Sequence, residues 1–146
     1  MRLLTVLLLS GILTIASVNV AIADSNVNIS NGGYTVTPAT SHTSLIRPMT
    51  ISSSITQGQT NSHYTNINGF YTSLNVDLNW GNYANSLQLT IYAPDGHVFG
   101  PYYDNDDGNR DGRINLYINN PNGIAQGTWN YKVYGYSVSG TQSYTI

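Results

Sequence analysis

From Ile51 onward, apolar and polar residues alternate in short runs. Leu74, Val76, Leu78 and Trp80 are separated by Asn75, Asp77 and Asn79. Leu87, Leu89 and Ile91 alternate with Gln88, Thr90 and Tyr92, and Ile114, Leu116 and Ile118 repeat the pattern. Trp129, Tyr131 and Val133 give a fourth row. A period of two puts each row on one face of a strand. Pro94-Asp95-Gly96 is a turn tripeptide between two apolar runs, so His97–Tyr103 is predicted to return beside Leu87–Tyr92. Gly140 turns the chain into a last strand, Ser143–Ile146. Beyond the N-terminal apolar run, no window has the i, i+3, i+4 spacing of an amphipathic helix. Short strands with turn signals between them predict an all-β, antiparallel β-sandwich, with the four rows as its core.

The N-terminal region has a different grammar. Arg2 precedes a long apolar run, Leu3–Ile22, which ends in Ala21-Ile22-Ala23 before Asp24. A short positive region, an apolar stretch and a small-residue site are the pattern of a signal peptide, here residues 1–23. The competing reading is a retained anchor, because the run approaches the length of a membrane-spanning helix. Either reading places the rest of the chain outside the cell, secreted or at the cell surface. Residues 24–50 are rich in Asn, Ser, Thr and Gly. They read as a flexible N-terminal segment, with one edge strand around Gly33–Thr37. Residues 51–146 are then the sandwich domain. Asn28-Ile29-Ser30 is a glycosylation triplet, of a kind that also arises by chance.

Composition narrows the function classes. Only 8% of residues are charged, the net charge is −2, and there is no cysteine. The cations beyond the apolar run are Arg47, Arg110, Arg113 and Lys132, too few for a basic stripe, which argues against nucleic-acid binding. An exported chain without disulfides draws its stability from its core and, where one is bound, from a metal.

Four groups of residues, in order, resemble the bacterial and archaeal pre-peptidase C-terminal domain. Gln57-Gly58-Gln59-Thr60-Asn61-Ser62-His63-Tyr64 is a Gly-polar-Thr turn feeding a Tyr-bearing strand, and Leu74–Leu78 follows as Leu-x-Val-x-Leu. Leu87–Gly96 ends in Pro-Asp-Gly. Gly127-Thr128-Trp129-Asn130-Tyr131-Lys132-Val133-Tyr134-Gly135 leads to the closing Ser-Tyr-Thr strand after Gly140. The resemblance spans about residues 55–146. It implies a jelly-roll-like β-sandwich, a non-catalytic accessory module of exported enzymes, and in some members the binding of calcium or extracellular polymers. Two features depart from it. Asn85-Ser86-Leu87-Gln88 carries no carboxylate where that family often has Asp, and no protease domain accompanies the module.

The densest chemistry is Asp104–Gly112, which holds Asp104, Asp106, Asp107 and Asp111, four of the seven acidic residues. Asp107, Asn109 and Asp111 match positions 1, 3 and 5 of a calcium loop, with Gly112 at the sharp turn and Ile114 at the apolar eighth position. The twelfth-position acid is missing, since residue 118 is Ile, so a calcium site here would recruit Asp104, Asp106 or Asp77. Calcium is therefore the candidate cofactor. The competing reading is a turn in which Asp and Asn cap local backbone.

Other chemistry is weaker. His42, His63 and His97 have no metal-binding spacing, no Gly-x-Ser-x-Gly elbow occurs, and neighbouring carboxylates on one loop suit ligation better than acid–base pairing. The chain is expected not to be an enzyme. Twelve tyrosines and two tryptophans remain. Tyr102, Tyr103, Tyr134 and Tyr136 are candidates for a binding face that stacks on sugars or proline-rich polymers. They also suit half-buried strand positions. The expected function is a secreted accessory or binding module, its partner an extracellular polymer or protein. The alternatives are a self-associating or adhesive surface protein that pairs strand edges, with residues 24–50 donating a strand, and a small secreted hydrolase.

Overall fold

A computed structural model describes residues 28–30, 32–39 and 50–146. The apolar run at residues 1–23, Asp24, His42 and Arg47 lie outside the described residues. Ten strands follow in order: β1 (Asn28–Ser30), β2 (Tyr34–Pro38), β3 (Ser52–Thr56), β4 (Thr60–Ile67), β5 (Ser73–Asn79), β6 (Ser86–Tyr92), β7 (Val98–Tyr102), β8 (Arg113–Asn119), β9 (Gly127–Ser137) and β10 (Thr141–Thr145). They form two antiparallel sheets packed as a sandwich. One has the order β1-β2-β8-β5-β10-β3 and the other β4-β9-β6-β7. No helix among the described residues is long and apolar enough to cross a membrane.

The alternating rows point inward as their period requires. Leu74, Leu78, Leu87, Leu89, Ile91, Ile114 and Ile118 are all fully buried, and Trp129 and Val133 with them. Each such side chain stabilises the fold by about 1.5–3 kcal/mol through removal from water. Phe99 and Trp129 stack with ring centroids 6.1 Å apart. Trp80 closes one end of the core, and its indole N–H is satisfied by the carbonyls of Asn82 and Asn85 at 3.0 and 3.1 Å.

The sandwich begins well before residue 51. β2 forms near the expected edge strand, but it is part of the core: Tyr34 and Val36 are buried. β2 pairs with β8 from Thr35 opposite Asn119 to Pro38 opposite Leu116. The Tyr34 hydroxyl donates to Asp95 Oδ2 at 2.8 Å and accepts the Ala125 N–H at 2.9 Å. Its ring packs edge-on against Phe99 and Trp129. Polar composition disguised this, because the apolar contribution of the segment is only two side chains, whose partners lie far along the chain.

Candidate functional site

The acidic turn joins β7 to β8 at the end of the sandwich that also carries Trp80–Asn85. It is built from two tight turns, with Asp106 N–H on Tyr103 O at 3.0 Å and Gly108 N–H on Asn105 O at 3.2 Å. Gly112 adopts φ +77°, and an added Cβ there would lie 2.7 Å from the Asn82 nitrogen. Its carbonyl accepts N–H groups from both Trp80 and Gly81, at 2.8 and 2.9 Å. The turn is therefore anchored on the neighbouring loop by a residue that only glycine fits.

Two of the turn's four carboxylates, those of Asp104 and Asp107, face inward onto backbone. Asp104 is 6% exposed, and its Oδ1 accepts the N–H groups of Asp111, Gly112 and Arg113 at 3.2, 2.9 and 3.1 Å. Asp107 is also buried. Its Oδ1 accepts from Asn109 N–H at 3.1 Å and its Oδ2 from Asn115 N–H at 2.9 Å. Asp106 Oδ2 accepts from Tyr103 N–H at 2.8 Å. Asp77, one of the three carboxylates expected to complete a site, is bidentate to Arg113 at 2.7 and 2.6 Å. Burial pushes the Asp107 carboxyl above the ordinary aspartate range. The N–H groups of Asn115 and Asn109 oppose that, and the nearby Asp111 and Asp104 add to it.

The calcium-loop positions are not presented together. Asp107 is buried in its caps, whereas Asn109 and Asp111 are exposed. Among the described residues, no three His, Cys, Asp or Glu side chains are grouped to hold a metal ion. Calcium takes six to eight oxygens, and here both oxygens of Asp107 and of Asp77, with one each of Asp104 and Asp106, accept hydrogen bonds from within the protein.

The tyrosine candidates divide by side of the sheet. Tyr102 is turned toward the core opposite Leu89, and burial together with the Asp106 charge pushes its phenol up to about 12. It does not belong to an outer face. Tyr103, Tyr134 and Tyr136 do lie together on the outside of the four-stranded sheet. Tyr103 meets Tyr136 edge-on with centroids 5.0 Å apart, and its hydroxyl accepts a hydrogen bond from Gln88 at 2.8 Å. Tyr134 sits between Thr60 of β4 and Gln88 of β6.

The pairing register adds two tyrosines that sequence reasoning did not single out. Tyr64 of β4 and Tyr92 of β6 flank Asn130 of β9 from either side. Lys132 lies 4.7 Å above the Tyr92 ring, in cation–π range. Tyr92 was readable, because it alternates with Leu87, Leu89 and Ile91. Tyr64 was not, because β4 lacks an apolar row to set its parity. Tyr64 and Tyr136 are 60% and 53% exposed, enough ring for stacking. Of the described outward positions on β4, β6, β7 and β9, Lys132 is the only charged one. Thr, Ser, Asn and Gln fill most of the rest.

No protein-family model matches this chain, and no curated protein matches it either.

Proposed function

We propose that the chain is a non-catalytic binding module acting outside the cell, and that it holds an extended, uncharged polysaccharide against the outer face of its four-stranded sheet. The observation that carries this reading is the group of five outward tyrosines, Tyr64, Tyr92, Tyr103, Tyr134 and Tyr136, set among amide and hydroxyl side chains with Lys132 the one charged outward residue of the strands. Aromatic rings offer flat apolar area to the C–H faces of sugars. The neighbouring Gln88, Thr90, Asn130 and Thr60 offer hydrogen bonds to sugar hydroxyls. A sheet face is rigid, so little entropy is lost when the ligand docks. The N-terminal signal pattern and the resemblance to an exported accessory domain support the same reading.

Co-sedimentation with insoluble polysaccharides tests it, with fibrous collagen in parallel as the proline-rich alternative. Retention by a glucan, chitin or mannan that is lost in Tyr64→Ala/Tyr136→Ala supports the proposal. Retention by collagen alone replaces the ligand class, and no retention by any polymer removes the function.

A further inference from the structure

The sandwich has four outer strands, β1 and β3 in one sheet and β4 and β7 in the other. An outer strand offers a row of unpaired backbone groups, and folded proteins ordinarily guard such rows. Three of the four carry a guard. β1 is three residues long. β7 includes Pro101, which has no N–H to offer, and its pairing with β6 shifts register. β3 is capped from within the chain. Ser54 O accepts from Asn61 Nδ2 at 2.8 Å, Thr56 N–H donates to Gln59 Oε1 at 3.1 Å, and Thr56 O accepts from Gln59 N–H at 3.2 Å.

β4 has no such device. It is eight residues long, holds no Lys, Arg, Asp, Glu or Pro, and pairs with β9 at every position without a shift. The hydrogen bond from Gly135 N–H to Gln59 O, 2.9 Å, sets the parity of the ladder. Asn61, His63, Thr65 and Ile67 therefore exchange backbone hydrogen bonds with β9, whereas Thr60, Ser62, Tyr64 and Asn66 aim their N–H and C=O groups off the sheet. All four are exposed, and among the described residues nothing hydrogen-bonds those backbone groups. The inner side holds the strand lightly. His63 and Thr65 line a cavity of about 100 Å³ between the sheets, and Ile67 alone of the strand joins the apolar core.

The occupant that matches this edge is β4 of a second copy. The strand carries no charge, so a copy of itself meets no repulsion along it, and no charged group is there to select a foreign strand. Lys132 lies one strand further in, opposite Ser62. The two lysines of a pair would stand about 14 Å or more apart across three strand spacings, beyond the screening length at physiological salt. Antiparallel pairing about a two-fold axis at His63 uses every free group. Thr60 then lies opposite the partner's Asn66, and Ser62 opposite the partner's Tyr64, each pair exchanging two hydrogen bonds.

We propose that the free edge of β4 is a self-association site, at which two copies pair antiparallel and join their four-stranded sheets into one. The two Tyr64 residues then stand diagonally across the axis, about 7–8 Å apart, and the two tyrosine faces become continuous. The inference does not rest on the polysaccharide reading of that face, because it needs only the backbone of β4.

The test is the mass of the intact chain by sedimentation equilibrium from about 1 μM to 1 mM, a range suited to a ladder that buries less than a standard interface. The mass is expected to rise to twice that of the monomer. Amide exchange should slow about tenfold at Ser62 and Tyr64 once about nine-tenths of the chain is paired, while Asn61, His63 and Thr65 are protected throughout. Ser62→Pro should abolish both effects without lowering the melting temperature, because the N–H it removes has no partner in the single chain. Ser62→Lys is the second variant. It keeps the backbone and sets like charges diagonally across the axis, and it should weaken pairing about tenfold at low salt. Ser54→Lys, on the guarded edge of β3, should leave pairing unchanged. A monomer at every concentration, a dimer that both Ser62 variants leave unchanged, or one that answers to Ser54→Lys instead overturns the proposal. Protection of Ser62 and Tyr64 that does not depend on concentration also overturns it, and assigns the edge to a segment of the same chain.

Discussion

The acidic turn and the tyrosine face put their side chains to opposite uses. In the turn, Asp104 and Asp107 are buried, and three of their four oxygens accept five backbone N–H groups of the turn and the start of β8. On the face, Tyr64 and Tyr136 leave more than half of their surface in solvent, at an entropic and hydrophobic cost that folding alone does not require. Clustered charge drew attention in the sequence, yet its chemistry is used within the fold. The dispersed tyrosines are gathered only by strand register, and Tyr64 and Tyr136 keep most of their ring surface exposed. Density along a chain is a poor measure of availability to a ligand. Direction, inward or outward, decides it.

Several measurements would break or sharpen this contrast. The largest effect is expected from Asp104→Ala, which strips an acceptor from three buried or half-buried amides. The cost should be about 3 kcal/mol or more in chemical denaturation, since each abandoned donor costs roughly 1–3 kcal/mol. A cost near zero would mean that the turn is not held by its carboxylates. On the face, Tyr64→Ala and Tyr136→Ala should each weaken polysaccharide binding about tenfold while stability moves by less than ~1 kcal/mol, as for exposed positions. Loss of stability without loss of binding would invert the comparison.

Alkaline pH probes the inward-facing tyrosines. Burial raises Tyr34, with the Asp95 hydrogen bond adding to it, and burial raises Tyr102 to about 12. The unfolded chain releases these protons from about pH 10, whereas the folded chain keeps them. The stabilisation is therefore complete below pH 10 and is lost as pH rises toward 12. Denaturation midpoints followed from pH 9 to 12 should fall. A flat profile would show that neither phenol is sheltered.

The smallest effects are expected where the sequence looked most promising. Asp111 is exposed, so Asp111→Ala should change stability by no more than ~0.5 kcal/mol. Thermal unfolding should be the same in calcium and in chelator, because the turn is capped by its own amides. A calcium-dependent rise, about 2.7 kcal/mol for a site filled at a hundredfold excess over its dissociation constant, abolished by Asp111→Ala, would give the turn back to the cation.

Much of the core was readable, because period two survives wherever one face is apolar. The rows from Leu74 to Trp80, Leu87 to Ile91, Ile114 to Ile118 and Trp129 to Val133 all point inward as read. Three features were not readable, each for a physical reason. Asp107-x-Asn109-x-Asp111-Gly112 is compatible with a metal loop and with a capped turn, because both need short oxygen-bearing side chains around a positive-φ glycine. The parity of Tyr102 and Tyr103 is hidden by an irregularity in the β6–β7 pairing between Leu89 and Ile91, which shifts register. The inward row of β4 is polar because it lines a cavity, and only the opposite sheet reveals that the cavity exists.

Tyr34 has a mechanical consequence. Its hydroxyl is tied to the turn between β6 and β7 and to the loop before β9, and its ring lies on Trp129, the residue beneath the tyrosine face. Tension entering from the N-terminal side would meet this latch and the β2–β8 ladder before it reached β4 or β9. The latch and that ladder would therefore bear such a load before the four-stranded sheet did.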